Sequence, residues 1–182
     1  MWIVLDTIIP VSALISGDGY PGRVRAAVKR EGITLVKSEF HQAPHSTMHI
    51  VHELDETRIA QLHAFFAREW WTSDRSLEET RRCVEGSQIR IGLTDDTGDL
   101  IGFARVITDY TFKALVFDVI VADAHRGKGL GDHLVKLVLE HPDLARVRHF
   151  ELYCLPDVEP FYERHGFSTE VGGVRLMRRD GA

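Results

Sequence analysis

The run Arg126-Gly127-Lys128-Gly129-Leu130-Gly131 places three glycines and two cations directly after the apolar stretch Val119-Ile120-Val121. Together they read as a buried strand, a short loop and a glycine-rich turn that opens a helix. The start of a helix leaves backbone N–H groups without partners and carries a partial positive charge, so it attracts phosphate. Glycines there permit left-handed dihedrals and leave bare backbone that a diphosphate can approach closely. Arg126 and Lys128 add charge, and the segment Arg126 to Gly131 is therefore expected to hold a phosphorylated ligand. Two familiar phosphate loops do not fit. The dinucleotide fingerprint needs G-x-G-x-x-G, whereas the spacing here is G-x-G-x-G, two-thirds of the way along the chain. The loop G-x-x-x-x-G-K-[ST] is not present.

A second chemical segment lies about thirty residues downstream, Phe161-Tyr162-Glu163-Arg164-His165-Gly166-Phe167. It follows the alternating strand His149 to Cys154 and reads as a short helix closed by Gly166. Asp118 is the third point of interest. It sits inside an apolar run between Phe117 and Val119, where a carboxylate is costly to bury unless partnered and where burial raises its proton affinity. A general base, a structural acid paired with Arg105 on the preceding strand, and a water chain to solvent in place of any base are all compatible with the sequence.

The pattern Arg126-x-x-Gly129-x-Gly131, followed by Tyr162-x-x-x-Gly166-Phe167, resembles the GNAT superfamily of N-acetyltransferases over about residues 48 to 179. The resemblance includes Leu100 to Tyr110 as a central strand and Ala114 to Val121 as the strand that carries the coenzyme. It implies acetyl-CoA as cosubstrate, with Val119, Ile120 and Val121 along the pantetheine arm and the backbone of Val119 and Val121 making its contacts. Arg126, Gly127, Lys128, Gly129, Leu130 and Gly131 would wrap the diphosphate, and Tyr162 would protonate the leaving sulfur. The implied reaction is direct attack of a small-molecule primary amine on the thioester, with no metal and with a homodimer compatible with the family. A CoA-binding module without turnover is the alternative reading.

These residues need a scaffold. The periodicity predicts a strand over Met48 to Glu53 and helices over Asp55 to Trp70 and Ser73 to Glu85, the second capped by Ser73 or Ser76. A hairpin of Gln88 to Leu93 and Leu100 to Asp109 follows, then the strand Lys113 to Val121 and a helix over Lys128 to Glu140. A strand over Val147 to Cys154, a helix over Val158 to His165, and strands near Phe167 and over Val174 to Met177 complete the pattern. The fold class is α/β (α+β), a mixed and mostly antiparallel sheet flanked by helices on both faces. Trp70 and Trp71 are expected either to wall an acceptor site or to pack in the core.

The first 47 residues stand apart. Trp2 to Thr7 reads as a strand ending at Asp6, Pro21 to Glu31 as a helix, and Ile33 to Val36 as a second strand. This resembles the opening of PIN-domain toxin ribonucleases, whose first strand ends in a metal-binding aspartate. Ile8 stands where that family usually carries Asn, and two strands with one helix cannot bury a core alone. Residues 1–47 are thus expected to be a truncated extension and 48–182 the functional domain. A remnant of a metal-dependent ribonuclease using Asp6 is the least favoured function.

Composition narrows the classes further. The net charge of −5 comes with no basic patch interleaved with aromatics, which argues against nucleic acid. No apolar run approaches the length of a membrane span, and Asp6 with no cationic flank argues against a signal peptide. The two cysteines, Cys83 and Cys154, make neither a metal spacing nor a disulfide framework and point to a cytoplasmic protein. His41, His45, His49 and His52 cluster loosely and read as exposed histidines.

Overall fold

The computed structural model describes residues 48–181. The extension of residues 1–47, with Asp6 and its resemblance to a ribonuclease, lies outside the described residues. Five strands form one sheet in the order β1-β2-β3-β4-β5: β1 is His49–Val51, β2 Ile89–Thr94, β3 Leu100–Thr108, β4 Lys113–Val121 and β5 His149–Glu151. The first four pair antiparallel, and β5 lies parallel to β4. The parallel step requires a crossover, supplied by the helix α3 (Leu130–Leu139).

Two helices separate β1 from β2. Helix α1 (Glu56–Phe66) starts where the Asp55 carboxylate accepts the Arg58 N–H at 2.9 Å, and it buries Ile59, Leu62 and Phe66. It stops short of the expected Trp70. Residues 67–76 form turns instead, pinned by the buried Thr72 hydroxyl, which donates to the Phe66 carbonyl at 2.9 Å. Helix α2 (Leu77–Glu85) opens on a capping box in which Ser76 and Glu79 satisfy each other's backbone N–H groups, so the cap is Ser76 and not Ser73.

The helices cover opposite faces. Leu62, Phe66 and Val84 of α1 and α2 pack with Leu100, Phe103 and Ile120. Leu134, Val135 and Val138 of α3 pack on the other face with Ile91, Val116, Val119 and Val121. The side-chain parity of β4 changes between Val116 and Val119. Arg105 pairs with Phe117 and Phe103 with Ile120, so Asp118 and Val119 together oppose the single Ala104. That extra residue is a β-bulge, and it turns the odd-numbered positions beyond it to the face that the even-numbered ones occupy before it. Asp118 adopts φ 51°, a conformation uncommon for a non-glycine residue.

The C-terminal end departs from expectation. The helix read over Val158 to His165 is a 3₁₀ turn, Pro156–Val158, followed by α4 (Glu159–Glu163). Pro156 and Pro160 remove N–H donors at its start, and Gly166 at φ 85° closes the turn beyond it. No strand forms near Phe167 or over Val174 to Met177. Gly172 and Gly173, both left-handed, make a tight turn, but its arms form no ladder, and Val174, Leu176 and Met177 are exposed. An alternating apolar pattern becomes a strand only beside an edge that pairs with it, and β5 is only three residues long.

Candidate functional site

Alternation along β4 decides which backbone groups are available. The Ala122 N–H donates to the Ile101 carbonyl at 2.9 Å, and Ile120 lies opposite Phe103. Ile120 and Ala122 therefore turn their backbone groups toward β3, and Val119 and Val121 turn theirs away. On that far side the ladder to β5 covers only Lys113–Leu115. The bulge at Asp118 lies beyond this ladder, so the last third of β4 presents backbone along an edge that β5 does not reach.

The strand continues through a 3₁₀ turn, Asp123–His125, into the glycine-rich loop. Gly127 and Gly129 sit at φ 72° and 78°, and Gly129 caps α3. A Cβ built on Gly129 would meet nothing within 4 Å, so the helix start faces open space. The Lys128 ammonium donates to the Ala124 carbonyl at 3.0 Å and keeps two further donors for another acceptor. These features fit a diphosphate held by main-chain amides.

Arg126 behaves differently from the expectation that its charge faces the ligand. Its Nη2 contacts Glu69 Oε1 at 2.5 Å and Asp123 Oδ1 at 2.9 Å, and its Nε donates to the Val121 carbonyl at 3.1 Å. Two carboxylates and a carbonyl thus engage the guanidinium.

Asp118 is 0 % exposed and doubly paired. Arg105 Nε lies 2.5 Å from its Oδ2, while Arg75 reaches Oδ2 and Oδ1 at 3.1 and 3.2 Å. Arg105 also donates to the Ser87 hydroxyl at 3.2 Å, and the Arg75 guanidinium stacks 4.6 Å over the Phe66 ring. Both oxygens of Asp118 are thus engaged by two guanidinium groups. The pairing with Arg105 was legible from two neighbouring strands. Arg75 and Glu69 were not, because they lie 43 and 57 residues from their partners.

Tyr162 is 4 % exposed and belongs to the same core as Val119, Val121 and Leu134. Burial, and then the neighbouring Cys154 thiol, push its phenol well above the usual tyrosine range. Tyr162 lines a cavity of about 870 Å³ with Glu151, Cys154, Phe167 and Leu176. The glycine loop does not line that cavity. Trp70 is 62 % exposed, whereas Trp71 packs against the core. Cys83 and Cys154 are free thiols. Among the described residues no group of three or more His, Cys, Asp or Glu could hold a metal ion, and no helix is long and apolar enough to cross a membrane.

Comparison with known proteins adds independent information. The family model described as acetyltransferase (GNAT) family matches residues 52–167. An uncharacterized N-acetyltransferase, ycf52, of Pyropia yezoensis is 31% identical over 106 residues, covering 57% of this chain and 61% of that protein. The chain therefore spans about three-fifths of that relative's length. A crystal structure from Xanthomonas campestris pv. campestris, assigned to the same family, superposes with a TM-score of 0.66 at 32% identity, covering 74% of this chain and 94% of the other. An aminoglycoside N-acetyltransferase, AAC(6')-Iy, in complex with CoA shares the fold alone, with a TM-score of 0.59 at 16% identity over 75% of this chain and 98% of its own.

Proposed function

From the chain's membership of the acetyltransferase (GNAT) family, we propose that it transfers an acetyl group from acetyl-CoA to a primary amine of a small molecule, with residues 48–182 as the catalytic unit. One observation carries the reading. The β4 edge beyond its bulge leads directly into a left-handed glycine turn at an open helix start, a cradle shaped for a diphosphate on backbone donors.

Acetyl-CoA would supply the acyl group already activated as a thioester. The backbone of the glycine loop and the Lys128 ammonium would bind its diphosphate, and the β4 edge at Val119 and Val121, where Arg126 engages the Val121 carbonyl, would bind its amide arm. Tyr162, kept protonated by its burial, would donate a hydrogen bond to the sulfur as negative charge develops there. The incoming amine must lose a proton, because an amine of ordinary basicity is charged at neutral pH. Asp118 is engaged by Arg75 and Arg105, so this proton leaves toward solvent, and Asp118 fixes the strand bulge. Free cysteines fit a reducing, cytoplasmic setting.

The test is thiol release from acetyl-CoA against amines, polyamines, amino acids and aminoglycosides, with CoA affinity measured separately by calorimetry. Saturable thiol release with at least one amine is expected. A folded protein that binds neither CoA nor acetyl-CoA would overturn the assignment, and one that binds CoA but transfers to no amine would leave a CoA-binding module.

A further inference from the structure

The connection between α1 and α2, residues 67–76, is strapped to the coenzyme segment at two buried points, besides an exposed contact of Arg68 with Asp123 at 3.4 Å. Arg75 reaches Asp118 at the β4 bulge, and Glu69 reaches Arg126 at the head of the glycine loop. Glu69 is 4 % exposed, and a carboxylate buried this way needs a partner. It is also held from behind. Its N–H donates to the Phe66 carbonyl at 3.1 Å, and its own carbonyl accepts from the Thr72 N–H at 3.0 Å.

Arg126 joins three pieces of chain through one rigid guanidinium: Glu69, the Asp123 side chain of the 3₁₀ turn, and the Val121 carbonyl at the end of β4. Beyond Arg126 come Gly127 and Gly129, which have no side chains to fix their path. The loop's position is thus set at its anchor. Asp123 alone cannot set it, because it is half-exposed and lies on the same local turn. Glu69 is the one of the three that belongs to a different and buried part of the fold.

We propose that Glu69 is a positioning residue for the coenzyme, acting through Arg126 to hold the loop amides in register with the edge of β4. The inference rests on the reading that this loop receives the CoA diphosphate. It gives the α1–α2 connection and the coenzyme loop a shared support, so neither shifts without the other.

The experiment measures CoA affinity by calorimetry for the wild-type chain, Glu69→Gln, Arg126→Gln and the double variant, with urea midpoints recorded for each. Glu69→Gln keeps the shape and removes the charge. Its Kd for CoA is expected to rise about tenfold, the scale on which loss of an outer supporting partner acts, while kcat at saturating acetyl-CoA stays within about twofold of wild type. Because the two residues act as a unit, the double variant should bind no more than about twofold worse than either single one. A merely structural pair would lower the urea midpoint and leave the Kd of folded protein unchanged. Unchanged Kd in Glu69→Gln, or additive losses in the double variant, would overturn the proposal. Should Glu69→Gln not fold, Arg126→Gln carries the same expectation, and unchanged affinity there overturns it. A wild-type chain that binds no CoA would overturn the coenzyme reading itself, whereas wild-type binding retained in Glu69→Gln removes only the positioning role.

Discussion

Tyr162 and Asp118 are both buried ionisable groups, yet their surroundings differ in kind. Tyr162 sits among Val158, Phe161 and Phe167, with apolar burial as the main influence on its proton. It should therefore act as a donor that does not ionise near neutrality. Tyr162→Phe is expected to lower kcat by about 10²-fold, the lower end of what a positioned acid contributes, with CoA affinity unchanged; steady-state kinetics beside calorimetry checks both halves. Asp118 is surrounded by cations instead. Asp118→Asn removes the charge that both guanidinium groups answer, and breaking a buried pair in this way costs about 3 kcal/mol. Urea unfolding should show a loss of that size, whereas a catalytic base would instead give a stable protein with a pH–rate profile missing one limb.

Local strain and capping set the behaviour of the secondary structure around the site. Gly129 occupies a left-handed conformation at the head of α3 with open space where a side chain would stand. Gly129→Ala meets no clash, but an L-residue there costs about 1–2 kcal/mol, and its methyl would occupy the approach of a diphosphate. The variant should fold and bind CoA at least tenfold more weakly in calorimetry. Retained affinity would mean that the amides of this turn are not the binding groups. The β4 bulge works at the same level. One inserted residue redirects Val119 and Val121 to the α3 face, beyond the point where the three-residue β5 stops pairing with Lys113–Leu115.

Global stability should report both the ligand and the buried phenol. A ligand that binds only the folded state stabilises it by about 2.7 kcal/mol at a hundred times its Kd, so CoA is expected to raise the thermal midpoint while adenosine at equal concentration raises it less. Tyr162 gives a pH signature with a definite sign. Its folded pKa lies above the unfolded value of about 10. The unfolded chain therefore releases this proton first, and stability is full below about pH 10 and falls as pH rises beyond it. Wild type should lose stability above that pH more steeply than Tyr162→Phe in parallel urea titrations. Equal slopes would show that the phenol is not buried in the folded protein.

Short-range physics was legible in the residue order alone. Periodicity and capping marked α1, α2 and α3 because those signals lie within a few residues of each other, as in Ser76 with Glu79. The glycine loop was legible for the same reason, since left-handed turns and a helix start are local events. The C-terminal strands were misread because a strand is decided by its neighbour, and Val174 to Met177 pair with none among the described residues. Only the assembled fold placed Arg75 and Glu69 beside Asp118 and Arg126. Charge pairing across tens of residues leaves no trace in local pattern, because it depends on where the sheet brings distant segments together, and that is where Asp118 acquired Arg75 as its second partner.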